Sequence, residues 1–532
     1  MLHHVQSSTG PADCDRYDIV VIGGAFSGAS FALLLKRWRP SARILVVEKA
    51  ARFDRKVGEA TVEVSACFLH RVLGLYEFLS REQLPKHGLR YWFADGPDCR
   101  LADMSEIGPY EVPRVPAFQL DRSLMDEHLL ALAAAEGCEV ERPATIAAVE
   151  LGWPESTLSI EDAAGVTREV RARWVVDGSG RHAFLARRLR VQERVEEHPT
   201  AAVWARWHGV ADVDGAGFAG ADPRSPRMPQ ILAARRLGTN HFCDYGWWCW
   251  AIPLSDGDTS VGIVYDKRLF DLPGEGTRLE RYHRFVTTWP GLRELLAEAT
   301  MDAEDGRSYA HLPYRSTQYM GRGWALVGDA ASFLDPYYSP GLDHCAITAF
   351  ATAELVEADL AGRLDEAALD ARVARHNDVF VRSIRRWLEA LYVDKYELMG
   401  DAELLGCAFL VDTAGYYLGV VSPIYRQIES MRNPIFGLEG RNATIAFYLM
   451  RALNRRLVTL ARARRQLGTY GRRNAGWRLY ARSFGLGRAS VRPLLQGLAV
   501  WLRVEAGVLV RRFGRRLDLS APAPLRSRGS EV

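Results

Sequence analysis

Residues 18–22, Asp-Ile-Val-Val-Ile, form a short β-branched run leading into Gly23-Gly24-Ala25-Phe26-Ser27-Gly28, after which Ala29 to Trp38 has helical composition. A second run, Ile44-Leu45-Val46-Val47, ends at Glu48. Strand, glycine turn, helix, strand and acid in this order predict a βαβ unit and so an α/β fold. That unit seats a pyrophosphate on a helix N-terminus and a carboxylate on ribose hydroxyls. Ala25 stands where a second glycine normally lets the backbone approach the phosphates, and its methyl loosens the fit. A letter-perfect G-x-G-x-x-G occurs later, at Gly215–Gly220, between Ala-Asp-Val-Asp and Ala-Asp-Pro-Arg-Ser-Pro. With neither strand nor helix beside it, that stretch reads as a loop. No second credible fingerprint is present, so no built-in NAD(P)H domain is expected.

Three further segments extend the pattern. Arg173-Trp174-Val175-Val176-Asp177-Gly178-Ser179-Gly180-Arg181 reads as a strand and a glycine turn, and Trp324-Ala325-Leu326-Val327-Gly328-Asp329-Ala330-Ala331 as a strand, a Gly-Asp pair and a helix start. Gln119-Leu120-Asp121-Arg122-Ser123-Leu124-Met125 opens another helix. Each alone is an ordinary strand-to-helix turn. In this order they are similar to the motifs of glutathione-reductase-type flavoproteins. The resemblance implies FAD. It puts Gly23, Ala25, Ser27 and Gly28 on the pyrophosphate, with Glu48 and neighbouring Lys49 at the ribose. Asp177, Gly178 and Gly180 form the second motif, Asp329 after Gly328 contacts the ribityl chain, and Gln119 and Arg122 lie at the flavin.

At 532 residues, 48% hydrophobic and 25% charged, the chain is sized for two or three globular domains. Its eight cysteines are scattered without a C-x-x-C pair and read as reduced core thiols, so neither disulfide nor zinc is expected. The first sixteen residues lack the order of a signal peptide, and the best apolar run, near 491–510, is broken by Arg503 and Glu505. A cytoplasmic protein without a membrane-spanning segment is expected. A net charge of +3 hides an asymmetry: residues 451–532 carry nineteen Arg against Glu505, Asp518 and Glu531. Solvated basic helices are the preferred reading. An acidic carrier protein or an anionic membrane surface are the other partners such helices suit, and nucleic acid is not expected.

Within this flavoprotein frame stands Trp248-Cys249-Trp250-Ala251-Ile252-Pro253, a W-x-W-x-I-P string. Upstream are Gly58-Glu59-Ala60-Thr61 and Leu84-Pro85-Lys86-His87-Gly88-Leu89-Arg90-Tyr91-Trp92-Phe93. These resemble the signature, the G-E-[AS]-T turn and the Lys-x-Gly segment of the flavin-dependent halogenases, nearer the phenol- and pyrrole-directed subgroup. The resemblance runs from about Tyr17 to at least Asn377. It implies FADH2 supplied by a separate flavin reductase, oxygen, and chloride or bromide, reacting through a C4a-hydroperoxide to hypohalous acid. Lys86 would hold and aim that oxidant. A lysine suits this because burial lowers its pKa and favours hydrogen bonding or haloamine formation. His87 is a secondary base, and Trp248 and Trp250 wall the substrate chamber.

The halide candidate is the turn Asp335-Pro336-Tyr337-Tyr338-Ser339-Pro340-Gly341-Leu342-Asp343, opening a helix from His344 to Leu360. Amides at a helix N-terminus attract an anion, and Gly341 permits close approach to the flavin. Pro336, Gly341 and Leu342 are flavin contacts by resemblance, and Ser339 and Gly341 the halide donors. Two residues depart from the family pattern. Pro340 has no N–H where a donor is expected, and Glu63 stands where proline is usual.

The expected layout is α/β (α+β overall). A Rossmann-like FAD-binding domain spans 17–200 and 310–363, with part of the substrate sheet near 88–118. A β-sheet substrate-covering domain spans 201–309, a helical C-terminal region 364–519, and a disordered tail 520–532. Phe380 to Met399 reads as one amphipathic helix, with breaks expected around Gly415–Pro423 and Asn433–Gly440, and 489–513 as another amphipathic stripe. The leading reading is halogenation of an electron-rich aromatic, free or carrier-bound, in specialised metabolism. The alternatives are a flavin monooxygenase or dehydrogenase on the same scaffold, and a non-catalytic flavin-binding partner protein.

Overall fold

In the computed structural model, which describes residues 15–218, 228, 230–438, 441–481 and 484–517, the β-branched runs lie side by side. Asp15–Ile22 sits between Ile44–Val47 and Thr167–Asp177, parallel to both, so Ile19 faces Ile44 on one side and Trp174 on the other. Trp324–Leu326 and Glu139–Glu141 extend this parallel sheet at its two sides. Parallel strands need cover on both faces. Helix Phe26–Trp38, buried from Phe26 to Leu35, supplies part of it and packs on helices Arg122–Ala135 and Gly341–Leu360. The register brings Ile22, Val47 and Asp177 level, so Gly23, Glu48 and Gly178 emerge together at the carboxyl ends, where α/β folds bind ligands.

A second sheet is built mainly from Thr200–His208, Thr259–Asp266, Trp247–Pro253, Thr239–Asp244, Leu89–Phe93 and Ser105–Pro109, in that order across it. Side chains alternate along a strand. Trp248, Trp250 and Ile252 therefore share one face with Tyr91, Tyr337 and Trp387, toward the C-terminal helices. Trp247, Cys249 and Ala251 face the opposite way, with Trp92, Phe242 and Tyr282.

The C-terminal part departs from the sequence reading in three places. Arg478–Ala481 is a strand on the edge of the second sheet, parallel to Ser105–Pro109 with Arg478 opposite Glu106, inside a region read as helical. The stretch 380–399 is not one helix: Glu366–Trp387 passes into a wide turn at Leu388–Tyr392 and the chain reverses at Asp394, whose φ is 59°. The break expected at Gly415–Pro423 is a π-helical widening, Tyr417–Val421, between Ala402–Tyr416 and Ser422–Arg426. Pro423 is tolerated because it lies in the first turn of the last segment, where its missing N–H is not needed. By length and composition alone two stretches could cross a bilayer, Ala402–Arg426 and Gly487–Arg511, with 72% and 28% of their most apolar windows buried. The first is a core helix. The expected tail, 520–532, and Ala219 and Gly220 of the loop lie outside the described residues.

Candidate active site

At the carboxyl ends of the parallel strands, the Gly24 amide donates to Glu48 Oε2 at 2.7 Å. The amides of Phe26, Ser27 and Gly28, heading a thirteen-residue helix, have no partner among the described residues. Such a terminus attracts phosphate. Close packing makes this possible: a Cβ on Gly28 would stand 1.9 Å from the Gly23 carbonyl oxygen, and one on Gly178 would stand 2.8 Å from Gly28 Cα. Asp177, buried, accepts from the Ser179 and Leu185 amides at 2.9 and 2.7 Å and so fixes the adjoining turn through Gly180. The Asp329 carboxylate has no hydrogen bond among the described residues, and burial raises its pKa against the pull of Arg181 and Arg122. A Cβ on Gly341 would meet only a Phe333 ring carbon, at 3.9 Å. Free amides, an unpartnered carboxylate and a glycine facing open space fit the pyrophosphate, ribityl and ring portions of FAD.

The Gly58–Thr61 turn joins this cradle to the second sheet. The Arg122 guanidinium holds it through the Val57 and Gly58 carbonyls while pairing with Asp126. Buried Glu59 meets Arg206 at 3.2 Å, and desolvation raises its carboxyl to about 7. Thr61 Oγ1 accepts from the Phe118 amide at 2.7 Å, and the Thr61 carbonyl oxygen accepts from Lys86 Nζ at 2.8 Å. Lys86 follows a two-residue strand paired with Phe118–Gln119 and is 3% exposed. Burial lowers its pKa from the usual 10.5 to about 8, against the opposing fields of Glu63 and Asp343.

Across from it the turn before helix Gly341–Leu360 is strained, with Tyr338 and Ser339 both left-handed at φ 72° and 55°. Conformations of this kind persist only when their surroundings over-determine them. Here a buried hydrogen-bond chain does so. Asp335 Oδ1 accepts from the Tyr337 amide at 2.9 Å. Its Oδ2 lies 2.8 Å from His198 Nε2 and accepts from Tyr396 Oη at 2.9 Å, and Tyr396 in turn accepts from Trp248 Nε1 at 2.9 Å. Tyr338 Oη donates to Asp412 Oδ2, which also takes Lys395 Nζ at 2.6 Å. Beyond the turn, the amides of Gly341, Leu342 and Asp343 have no partner among the described residues.

Lys86 opens onto a cavity of about 1130 Å³. Its walls are largely apolar, with Trp387, Phe409, Met450, Leu498 and Trp501 from the C-terminal helices. Its polar lining includes Lys86, Glu63, Asp343, Asp412 and Tyr338, with Tyr416 and Tyr417 above them. Tyr417 Oη donates to Glu63 Oε1 at 2.6 Å and Tyr416 Oη to Asp343 Oδ2 at 2.7 Å. Burial raises both carboxyls, Asp343 to about 7.

The family model described as tryptophan halogenase matches residues 234–396, and that described as an FAD-binding domain matches 16–216. Both matches, with the relatives that follow, support membership of the flavin-dependent halogenase family. The chain is an FAD-dependent enzyme. A flavin-dependent halogenase of Dictyostelium discoideum is 26% identical over 445 residues, covering 77% of this chain and 71% of the relative. A 1H-pyrrole-2-carbonyl-[peptidyl-carrier protein] chlorinase of Pseudomonas fluorescens is 27% identical over 389 residues, 70% of this chain and 82% of that one. The crystal structure of halogenase PltM in complex with phloroglucinol and FAD superposes with a TM-score of 0.68 at 18% identity, covering 92% of this chain and 96% of that chain.

Against the site residues expected of a halogenase, the geometry makes several corrections. The Ser339 amide donates to the Pro336 carbonyl at 2.8 Å and is not free for halide, so of the two expected donors only Gly341 keeps an open amide. Trp248 and Trp250 do not line the cavity: their indoles point to Tyr396 and Ser260, so they form the sheet face behind it. His87 also faces away, its Nδ1 accepting from the Ala234 amide at 3.0 Å. Gln119 is buried with its amide against Thr239 Oγ1, bracing the sheet junction. Lys49 is exposed beside buried Glu48, and half-buried Pro336 and buried Leu342 flank the strained turn. Sequence reasoning missed Asp343, Asp412, Tyr416, Tyr417 and Lys395 as polar residues of the site. One signal was available: the chain has only six lysines, and Lys395 is the one besides Lys86 that is buried.

Proposed function

We propose that this halogenase accepts reduced FAD from a separate reductase and, with oxygen and chloride or bromide, halogenates a bulky, electron-rich aromatic held in the cavity beside Lys86. The observation that carries this reading is Lys86 itself: a buried ammonium on the cavity wall, with a carbonyl oxygen as its hydrogen-bond partner and a pKa lowered to about 8. When bound, the reduced cofactor with oxygen and halide supplies an electrophilic halogen as hypohalous acid. Residues of the chain do the rest. The open Gly341 and Leu342 amides present partial positive charge to an anion. Lys86 donates a hydrogen bond to the oxygen of the hypohalous acid and keeps it near the aromatic. It gives its proton to the departing hydroxide as the halogen–oxygen bond breaks and the carbon–halogen bond forms, so that water leaves. Glu63, its pKa raised by burial, accepts the proton that the substitution displaces. The apolar walls exclude water that would compete for the oxidant.

One dinucleotide cradle among the described residues supports a separate reductase. The large cavity suits a substrate bigger than a single ring, and the name of the pyrrole chlorinase adds carrier-protein thioesters to the candidates. One observation favours a second reading, a monooxygenase: Pro340 caps the helix without an N–H beside the halide turn. The test supplies the holoenzyme with reductase, bromide and either phloroglucinol or a long-chain alkylresorcinol. Brominated product that disappears in Lys86→Met while bromide oxidation continues supports the proposal. Hydroxylated product, indifferent to bromide, establishes the second reading.

A further inference from the structure

Helix Val491–Leu517 is apolar on two opposite sides. Val500, Val504 and Val508 are buried, and the helix packs against Ala402–Tyr416. The opposite side carries Val491, Leu495, Leu502, Leu509 and Val510, exposed by 39, 60, 60, 48 and 70%. Positions 491, 495, 502 and 509 repeat at helical spacing, so they form one outward row about 27 Å long. The neighbouring helix Arg441–Gln466 adds Ile445, Tyr448 and Leu449, exposed by 46, 55 and 66%. Both helices line the cavity, through Leu449 and Met450 on one and Leu494, Leu498 and Trp501 on the other. An apolar surface thus borders the cavity that holds Lys86.

Charge distinguishes among occupants of that surface. Between Arg441 and Leu517 the sequence has eighteen Arg and a single acid, Glu505, which is paired with Arg456 at 2.6 Å. Some of this charge is held internally, as Arg464, Arg472 and Arg503 converge on buried Glu403. Arg455, Arg488, Arg492 and Arg511 are exposed and have no acidic partner among the described residues. A long outward apolar row flanked by unpaired arginines is the pattern of a helix lying in the plane of a membrane interface. A second copy of this chain would bring like charges together on the same face.

We propose that the outward face of helices Arg441–Gln466 and Val491–Leu517 docks on the surface of an anionic bilayer, placing the cavity mouth where a lipophilic substrate dissolves. The docking stands independently of the halogenation chemistry; only the delivery role rests on that reading.

The test floats the full-length, FAD-loaded protein with phosphatidylcholine vesicles, with and without phosphatidylglycerol. Flotation with the anionic vesicles, released by salt and lowered about tenfold or more by Leu495→Gln/Leu502→Gln/Leu509→Gln, supports the proposal. All three residues are exposed, so the variant should keep its FAD and its unfolding midpoint. No flotation with either vesicle overturns the proposal, as does flotation untouched by the triple variant. A dimer in light scattering that the same variant dissociates, or binding to an acidic carrier protein without flotation, overturns it in favour of that partner.

Discussion

Replacing Lys86 by Met should stabilise the protein while removing halogen transfer. The Lys86 ammonium sits at about 8 instead of 10.5. That difference of about 2.5, at about 1.4 kcal/mol per unit, makes the charged side chain cost about 3.5 kcal/mol near neutral pH. Met fills a similar volume without charge. The variant loses the hydrogen bond to the Thr61 carbonyl oxygen, which costs about 1 kcal/mol. The net gain is about 2.5 kcal/mol. Its pH dependence has a definite sign. Between the two values the unfolded chain holds the proton and the folded chain has released it, so wild-type stability rises with pH across that window. Below about 8 the cost is present in full; above 10.5 it is gone. Urea unfolding of the FAD-loaded proteins should therefore show Lys86→Met more stable at about pH 7, with the gap narrowed by about 1 kcal/mol at about pH 9. A variant that is less stable at neutral pH, or a gap that ignores pH, would refute the claim that function keeps a charge buried here.

Three further outcomes are expected. Trp248→Phe removes the buried donor to Tyr396 and leaves a void, so it should lower stability by about 2–3 kcal/mol and raise the bromide concentration needed for half-maximal rate. An unchanged bromide titration would reduce Trp248 to a packing residue. Because Lys86 must hold its proton, halogen transfer should decline as pH rises through about 8, and Glu63→Gln, by removing a field that holds that proton, should move the decline to lower pH. A pH profile of product formation in the two proteins decides this. Gly341→Ala meets no backbone, so its unfolding should stay within about 0.5 kcal/mol of wild type while FAD affinity falls several-fold in a fluorescence titration. Equal affinity would mean that nothing approaches Gly341 closely.

The parts of the fold legible in the sequence are those where the determinants are local. Gly23 through Glu48 carry strand, turn, helix and acid within one stretch, and period-two alternation in Trp247–Pro253 assigns each residue to a sheet face. Lys86 was legible because its segment has a local pattern. What it does in the structure depends on Thr61, Glu63 and Asp343, the last 257 residues away in sequence. The Asp335 chain was not legible for the same reason, since His198, Tyr396 and Trp248 come from three different elements. Periodicity misled at 380–399, where apolar spacing continues through Tyr392 but the left-handed Asp394 turns the chain inward and buries Lys395. It also missed Arg478–Ala481, four residues whose extended form is set by pairing with Ser105–Pro109.

Oxidation of halide at the strained turn, despite Pro340, can be followed without any substrate. Reduced FAD-loaded protein is mixed rapidly with oxygen, with and without bromide, in the presence of a hypohalous acid trap. Trapped oxidant that rises with bromide and persists in Lys86→Met is the expected result. Oxidation of the flavin at a rate indifferent to bromide, with nothing trapped, would contradict it.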